Sequence, residues 1–130
     1  MPDEIQDRAG MPVLVCDPAG PPITTERDAL DLIGAAFLGA AVVAVPASRL
    51  DPSFFSLGTR FAGEVMQKFV NYRLRLVVVG DISGHLATSS ALRALVDESN
   101  RADQIWFVPD LDALDDRLRA LADRPGARLA

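Results

Sequence analysis

Residues 80–85, "GDISGH", place a carboxylate, a hydroxyl and an imidazole within one turn, on Asp81, Ser83 and His85. These are the groups that orient, attack and take a proton in acyl transfer. The three therefore stand as catalytic candidates, with Asp81 and His85 as the acid–base pair. The spacing argues the other way. Working triads draw their members from separate segments, and the stretch is not the G-x-S-x-G elbow. A polar turn, with His85 exposed or touching a ligand, is the plainer account.

A second candidate is the turn Asp51-Pro52-Ser53. Asp caps a helix and Pro suits its first position, so the turn reads first as a helix start. Read chemically, Ser53 is a phosphoacceptor candidate. A phosphate there would face both the positive helix end and the Asp51 carboxylate, and so could shift a docking surface. Arg49 and Asp51 join it as partner- or ligand-binding candidates. Further on, Arg60, Glu64 and Lys68 recur at the four-residue spacing of a helical salt ladder. Glu64 and Lys68, beside Gln67 and Asn71, are the candidates for a partner-docking face.

Other chemistry finds little footing. Neither G-x-x-x-x-G-K-[ST] nor G-x-G-x-x-G occurs, and no His, Cys and Glu share metal spacing. The acidic "DLDALDD", residues 110–116, lacks the glycine and closing Glu of a calcium loop, and its leucines are spaced for a helix. Cys16 is the single cysteine, with no basic neighbour to lower its pKa, and reads as a packed thiol. No metal and no cofactor is expected.

These residues must be held by regular elements. "PVLVC" (12–16), "AAVVAVP" (40–46), "LRLVVVG" (74–80) and "QIWFVP" (104–109) are short apolar runs of strand length, and "EIQDRAG" before Gly10 can add a hairpin strand. Between them lie helical patterns. Thr25 caps one with Leu30, Leu32, Ile33, Ala36 and Phe37 on its apolar stripe. The next runs from Pro52 to Tyr72 with Phe54, Phe55, Ala62, Val65, Met66 and Phe69 inward. A third covers 88–100 with Ala91, Leu92, Leu95 and Val96 inward, and a fourth carries Leu111, Leu114, Leu118 and Leu121. Alternating strands and helices imply a mostly parallel sheet of four or five strands, with about four helices. Residues 1–124 then form one α/β domain and 125–130 a flexible tail. In such a sheet ligands bind beyond the carboxyl ends of the strands, where Cys16, Asp17, Ser48, Arg49, Asp51, Ser53, Asp81, Ser83, His85 and Asp110 fall.

At 130 residues and 49% hydrophobic the chain is long enough to bury a core as a single domain. A net charge of −5 argues against nucleic acid or an anionic membrane as the partner. The acidic start "MPDEIQDRAG" is no signal peptide and no apolar run is long enough to span a bilayer, so a cytoplasmic protein is expected. The apolar excess also leaves room for a homo-oligomer.

The stretch "LDPSFFSLGTRFAGEVMQKFVNYRLRLVVVGDIS", followed by "ALRALVDESN" and "IWFVPDLDAL", closely resembles an uncharacterised bacterial family catalogued as domain of unknown function 4180. The most specific parts are Phe54-Phe55, "AGEVMQKFVNYR", "GDIS" and "ESN". More distantly, the element order is similar to STAS domains of anti-anti-sigma factors and sulfate-transporter tails. In that group the matching turn reads Asp-Ser-Ser-Gly, and a partner kinase phosphorylates its second Ser. The resemblance implies a STAS-like fold and Ser53 as phosphoacceptor. Pro52 and Phe54 depart from the pattern, standing where it has Ser and Gly. The expectation is a regulatory or binding module engaging a partner protein or small ligand through residues 49–53 and the following helix. The alternative is a small enzyme with its pocket at the strand ends.

Overall fold

The computed structural model describes residues 3–123, so the tail expected at 125–130 lies outside the described residues. Five strands form one sheet in the order in which they occur in the chain: β1 (Glu4–Arg8), β2 (Met11–Val15), β3 (Val42–Pro46), β4 (Arg75–Val79) and β5 (Ile105–Val108). β1 and β2 form the antiparallel hairpin, and β2 to β5 run parallel. The hairpin turn is two residues long, with Ala9 at φ 53° and Gly10 at φ 85°. Positive φ at both positions is the geometry that matches the twist of the flanking strands.

Helices α1 (Glu26–Ala36), α2 (Phe61–Asn71) and α4 (Ser90–Arg101) connect successive parallel strands, with the short α3 (Ser83–Ala87) ahead of α4. Crossovers of one hand between neighbours taken in chain order place all their helices on one face of the sheet. That face buries Leu14, Val43, Val45, Leu76, Val78 and Phe107 against Ile33, Val65, Phe69 and Leu92. Among the described helices only α5 (Leu111–Ala122) returns over the other face, where Val13, Val42, Ala44, Val77, Trp106 and Val108 meet Leu114 and Leu118. Successive residues of β3 and β4 thus alternate between two cores, which is why their sequences are apolar without a break. Arg8 ties the hairpin to α5 by a two-pronged pair to Asp115, at 2.8 and 2.9 Å.

The far edge is closed differently. β5 pairs with β4 alone among the described strands. On its outer side the Asn100 amide accepts from the Phe107 N–H (2.8 Å) and donates to the Phe107 carbonyl (3.2 Å). Asn100 thereby supplies the two bonds that a sixth strand would make. Trp106 donates its indole N–H to the Ala102 carbonyl, and the guanidinium groups of Arg75 and Arg117 lie over its ring.

Three details depart from the sequence reading. The helix expected over Pro52 to Tyr72 is broken: two 3₁₀ turns, Pro52–Phe55 and Leu57–Thr59, precede α2, and Arg60 at φ 66° separates them from it. Tight 3₁₀ turns let both Phe54 and Phe55 reach the core, which consecutive residues of an α-helix do less readily, while the single Thr59 hydroxyl proton is shared between the Ser53 and Ser56 carbonyls. The salt ladder is absent too. With Arg60 outside the helix, Lys68 reaches across to Glu26 of α1 at 3.4 Å. Phe37, expected inward, is 60% exposed, because α1 ends at Ala36 and its ring turns out to pack edge-on against Tyr72. Ala91 is likewise exposed at the start of α4.

Candidate functional site

Because β2, β3 and β4 run parallel, their carboxyl ends meet at one edge of the sheet. One helix about 10 Å across cannot cover a sheet of strands spaced about 4.8 Å apart, whereas three helices do so on the opposite face. At the strand-end corner beyond the first turn of α5 a cavity of about 440 Å³ remains. Its floor is Val15, Ala44 and Val79 from the α5 face of the sheet, with Leu111 of α5 beside them. Pro18, Pro46, Ala47 and Ile82 extend the apolar wall, and Ser48, Asp81 and His85 stand with Cys16 as the polar members. The volume is in the range of small-molecule sites.

The segment that carries Asp81 and His85 is set by Gly80. Its φ of 140° is a glycine conformation, its N–H donates to the Val108 carbonyl, and a Cβ there would lie 3.2 Å from that of Ala47. The chain then turns sharply enough for the Asp81 carboxylate to accept the Ser83 N–H at 2.9 Å. That bond holds the Asp81 carboxyl below its usual range, so it is ionised at neutral pH. The His85 ring stacks on Phe55, centroids 4.1 Å apart and 11° from parallel. Among the described residues it makes no hydrogen bond, to Ser83 or to Asp81. The structure thus brings Asp81 and His85 to one cavity without joining the three residues into a nucleophile–base chain. A second, smaller hollow of about 250 Å³ lies on the other side of the same segment, between Ser83, Leu86, Val96 and Phe107.

The other candidates fall around this edge or away from it. At the 51–53 turn, Asp51 accepts the Ser53 N–H (3.0 Å) and the Ser53 hydroxyl (2.6 Å), and these bonds, the hydroxyl foremost, lower its pKa. Ser53 is half-buried beneath that contact. Arg49, proposed as a binding residue, is turned inward: it is 3% exposed, pairs with Asp3 at 2.9 Å and donates to the Pro21 and Asp17 carbonyls. Its guanidinium fills the space over Gly20, where a Cβ would come within 2.7 Å. Arg49 therefore pins the N-terminal segment and the 17–21 loop to the end of β3. Glu64 and Lys68 lie well away, along an open groove of about 610 Å³ between α1, α2 and α4, with Met66 and Leu95 also lining it.

Cys16 lines the cavity but is 2% exposed, and burial pushes its thiol up to about 12. A thiol held protonated neither attacks nor ligates. Among the described residues no His, Cys, Asp and Glu gather in a metal-holding group, and no helix is long and apolar enough to cross a membrane.

Sequence reasoning pointed to the edge and to Asp81 and His85, but it missed the residues that make the hollow: Val15, Ala44, Ala47, Val79 and Leu111. The available signal was the small side chains at the end of β3, "AVPAS", which leave volume where the strand meets its covering layer.

No significant match emerges among curated proteins or among solved structures, and the distant likeness to STAS domains has no support from these comparisons. The family model described as domain of unknown function (DUF4180) matches residues 8–118, and the protein belongs to that family.

Proposed function

We propose that this protein is a binding module of regulatory type, which takes a small molecule into the strand-end cavity and conveys its presence to the 51–55 turn. The observation that carries this reading is the cavity itself. It is of ligand size, its wall is mainly apolar, and it has a few polar groups at fixed positions, the usual make-up of a small-molecule site. Communication follows from one contact. His85 forms part of the cavity wall and stacks on Phe55, and Phe55 belongs to the same short turn as Ser53. A ligand that displaces His85 therefore acts on that turn and, through it, on the start of α2. The groove beside Glu64 and Lys68 is the proposed docking face for a protein partner.

An enzyme is the second reading, kept because Asp81 and His85 line the same cavity. Against it stand the unpaired His85 ring and the inert Cys16.

The test is native mass spectrometry of the protein purified gently from its own host, with the intact mass taken after denaturation. A retained small molecule that is lost on Ser48→Phe, a block at the exposed rim of the cavity, supports the proposal. A preparation that retains nothing, with one phosphate on Ser53, moves the function to the turn. If an activity is found, His85→Ala abolishes it on the enzyme reading and spares it otherwise.

A further inference from the structure

Resting on the cavity as the binding site, we infer that its ligand is a neutral or singly cationic, largely apolar molecule with a donor group directed at Asp81, and that carboxylates and phosphates are rejected.

In parallel α/β folds the carboxyl edge of the sheet binds anions because helix N-termini there present unsatisfied N–H groups and a partial positive charge. Here those donors are already taken by the chain's own carboxylates. Asp51 accepts the Ser53 N–H at 3.0 Å, Asp81 the Ser83 N–H at 2.9 Å and Asp110 the Ala113 N–H at 2.8 Å. α1 is closed as well, by a capping box between Thr25 and Asp28. The starts of α1 and α5 and the 51–53 and 81–83 turns at this edge thus carry a fixed negative charge, while α4 is capped by the neutral Ser89 hydroxyl.

Cations do not make up the difference. Among the described residues no Lys or Arg lines the cavity. Arg49, at the end of β3, is buried and committed to Asp3, the Pro21 carbonyl and the Asp17 carbonyl. An anion entering the cavity would meet the Asp81 carboxylate, exposed at its rim, and like charges at contact distance repel. For a ligand bearing N–H or O–H the same geometry is favourable. Asp81 already accepts from Ser83, and its carboxylate, exposed at the rim, keeps lone pairs with which to accept from the ligand. The apolar floor of Val15, Ala44, Val79 and Leu111 takes the body of the molecule.

The experiment uses the full chain, labelled with ¹⁵N, and four probes that share one ring: tryptamine (cation), tryptophol (neutral), indole-3-acetate and 3-indolyl phosphate (anions). Amide shifts of Val79, Gly80, Ile82 and Leu111 are followed during titration. The expected result is that tryptamine and tryptophol shift these amides, with affinity at least about tenfold above either anion. Asp81→Asn keeps an oxygen for the Ser83 N–H and removes the charge. It should lower tryptamine affinity about fivefold and leave tryptophol unchanged. An anion that binds as tightly as tryptamine, or a tryptamine preference untouched by Asp81→Asn, overturns the ligand class while leaving the cavity as a site. Cavity amides that answer to none of the four probes overturn the site itself, and with it the proposed function.

Discussion

Asn100 is the residue whose removal the structure makes most informative. Its amide satisfies both the N–H and the carbonyl of Phe107 on the outer side of β5, at 2.8 and 3.2 Å. Phe107 is 7% exposed, so these backbone groups have little water to turn to. Each hydrogen bond is worth about 1 kcal/mol net, and a buried group left unsatisfied costs about 1–3 kcal/mol. Asn100 is itself only half-buried, and truncation would admit a water, which holds the loss toward the lower end. Asn100→Ala should therefore cost about 2 kcal/mol, lowering Tm by roughly 8 °C for a domain of this size. Asn100→Asp separates the backbone argument from simple loss of packing. It keeps the acceptor for the N–H but sets an anionic oxygen against the Phe107 carbonyl, so at pH 7 it should be less stable than Asn100→Ala. That carboxyl would have a folded pKa raised above its unfolded value of about 3.9. The native state then binds more protons than the unfolded one, and stability relative to wild type rises as pH falls from 7 toward 4. Urea unfolding read by the fluorescence of Trp106, the single tryptophan and 1% exposed, supplies the assay. An Asn100→Ala change within 0.5 kcal/mol of wild type, which is about the scatter of surface substitutions, refutes the reasoning. So does an Asp variant that is the more stable at pH 7.

Other expectations follow from the same contacts. Arg49→Ala should destabilise by about 3 kcal/mol, since it takes the cation from Asp3 and the donor from the Pro21 carbonyl, while the Asp17 N–H still bonded to Asp3 and the one-quarter exposure of Asp3 keep the figure at the low end of buried pairs. Gly20→Ala should cost about 2 kcal/mol by driving a methyl into that guanidinium, and Arg49→Ala should then be less damaging in its background than in wild type, which a double-mutant cycle by urea unfolding measures. Asp28, Asp51 and Asp81 all have lowered pKa values, through bonds from Thr24, Ser53 and Ser83 respectively. A lowered carboxylate stabilises above the unfolded pKa and loses that contribution as pH falls through the folded value, so Asp51→Ala should be less stable than wild type at pH 7 and converge with it in acid unfolding curves once pH has fallen through that lowered value. A difference that persists at low pH would mean that Asp51 acts through packing. His85→Ala should leave Tm nearly unchanged, because His85 is exposed, while the amides of Ser53 and Phe55 shift; amides that stay in place would remove the link between cavity and turn.

The alternation of elements, and through it the class of sheet, is legible in the order of apolar runs and helical patterns along the chain. The unbroken apolar runs at β3, β4 and β5 require cover on both faces, and the helical patterns between them require parallel crossovers. Thr25, Asp51 and Asp110 announced helix starts because capping is a local matter of one side chain and the next few amides. Local rules also misled. The apolar stripe ran through residues 52–72 without a break, and nothing in its spacing revealed that Arg60 adopts a left-handed conformation. That Arg49 is buried was hidden for a related reason, since its partners Asp3, Asp17 and Pro21 are distant in the chain.

Only the tertiary structure decided where a ligand could lie. Strand order is set by which crossovers pack best against one another, and the order found here puts three helices on one face and one on the other. The cavity is the volume that the single helix leaves uncovered, and it belongs to no residue's type. Val15, Ala44, Val79 and Leu111 are ordinary core residues by sequence, and they become a floor because α5 passes them at one end and not at the other.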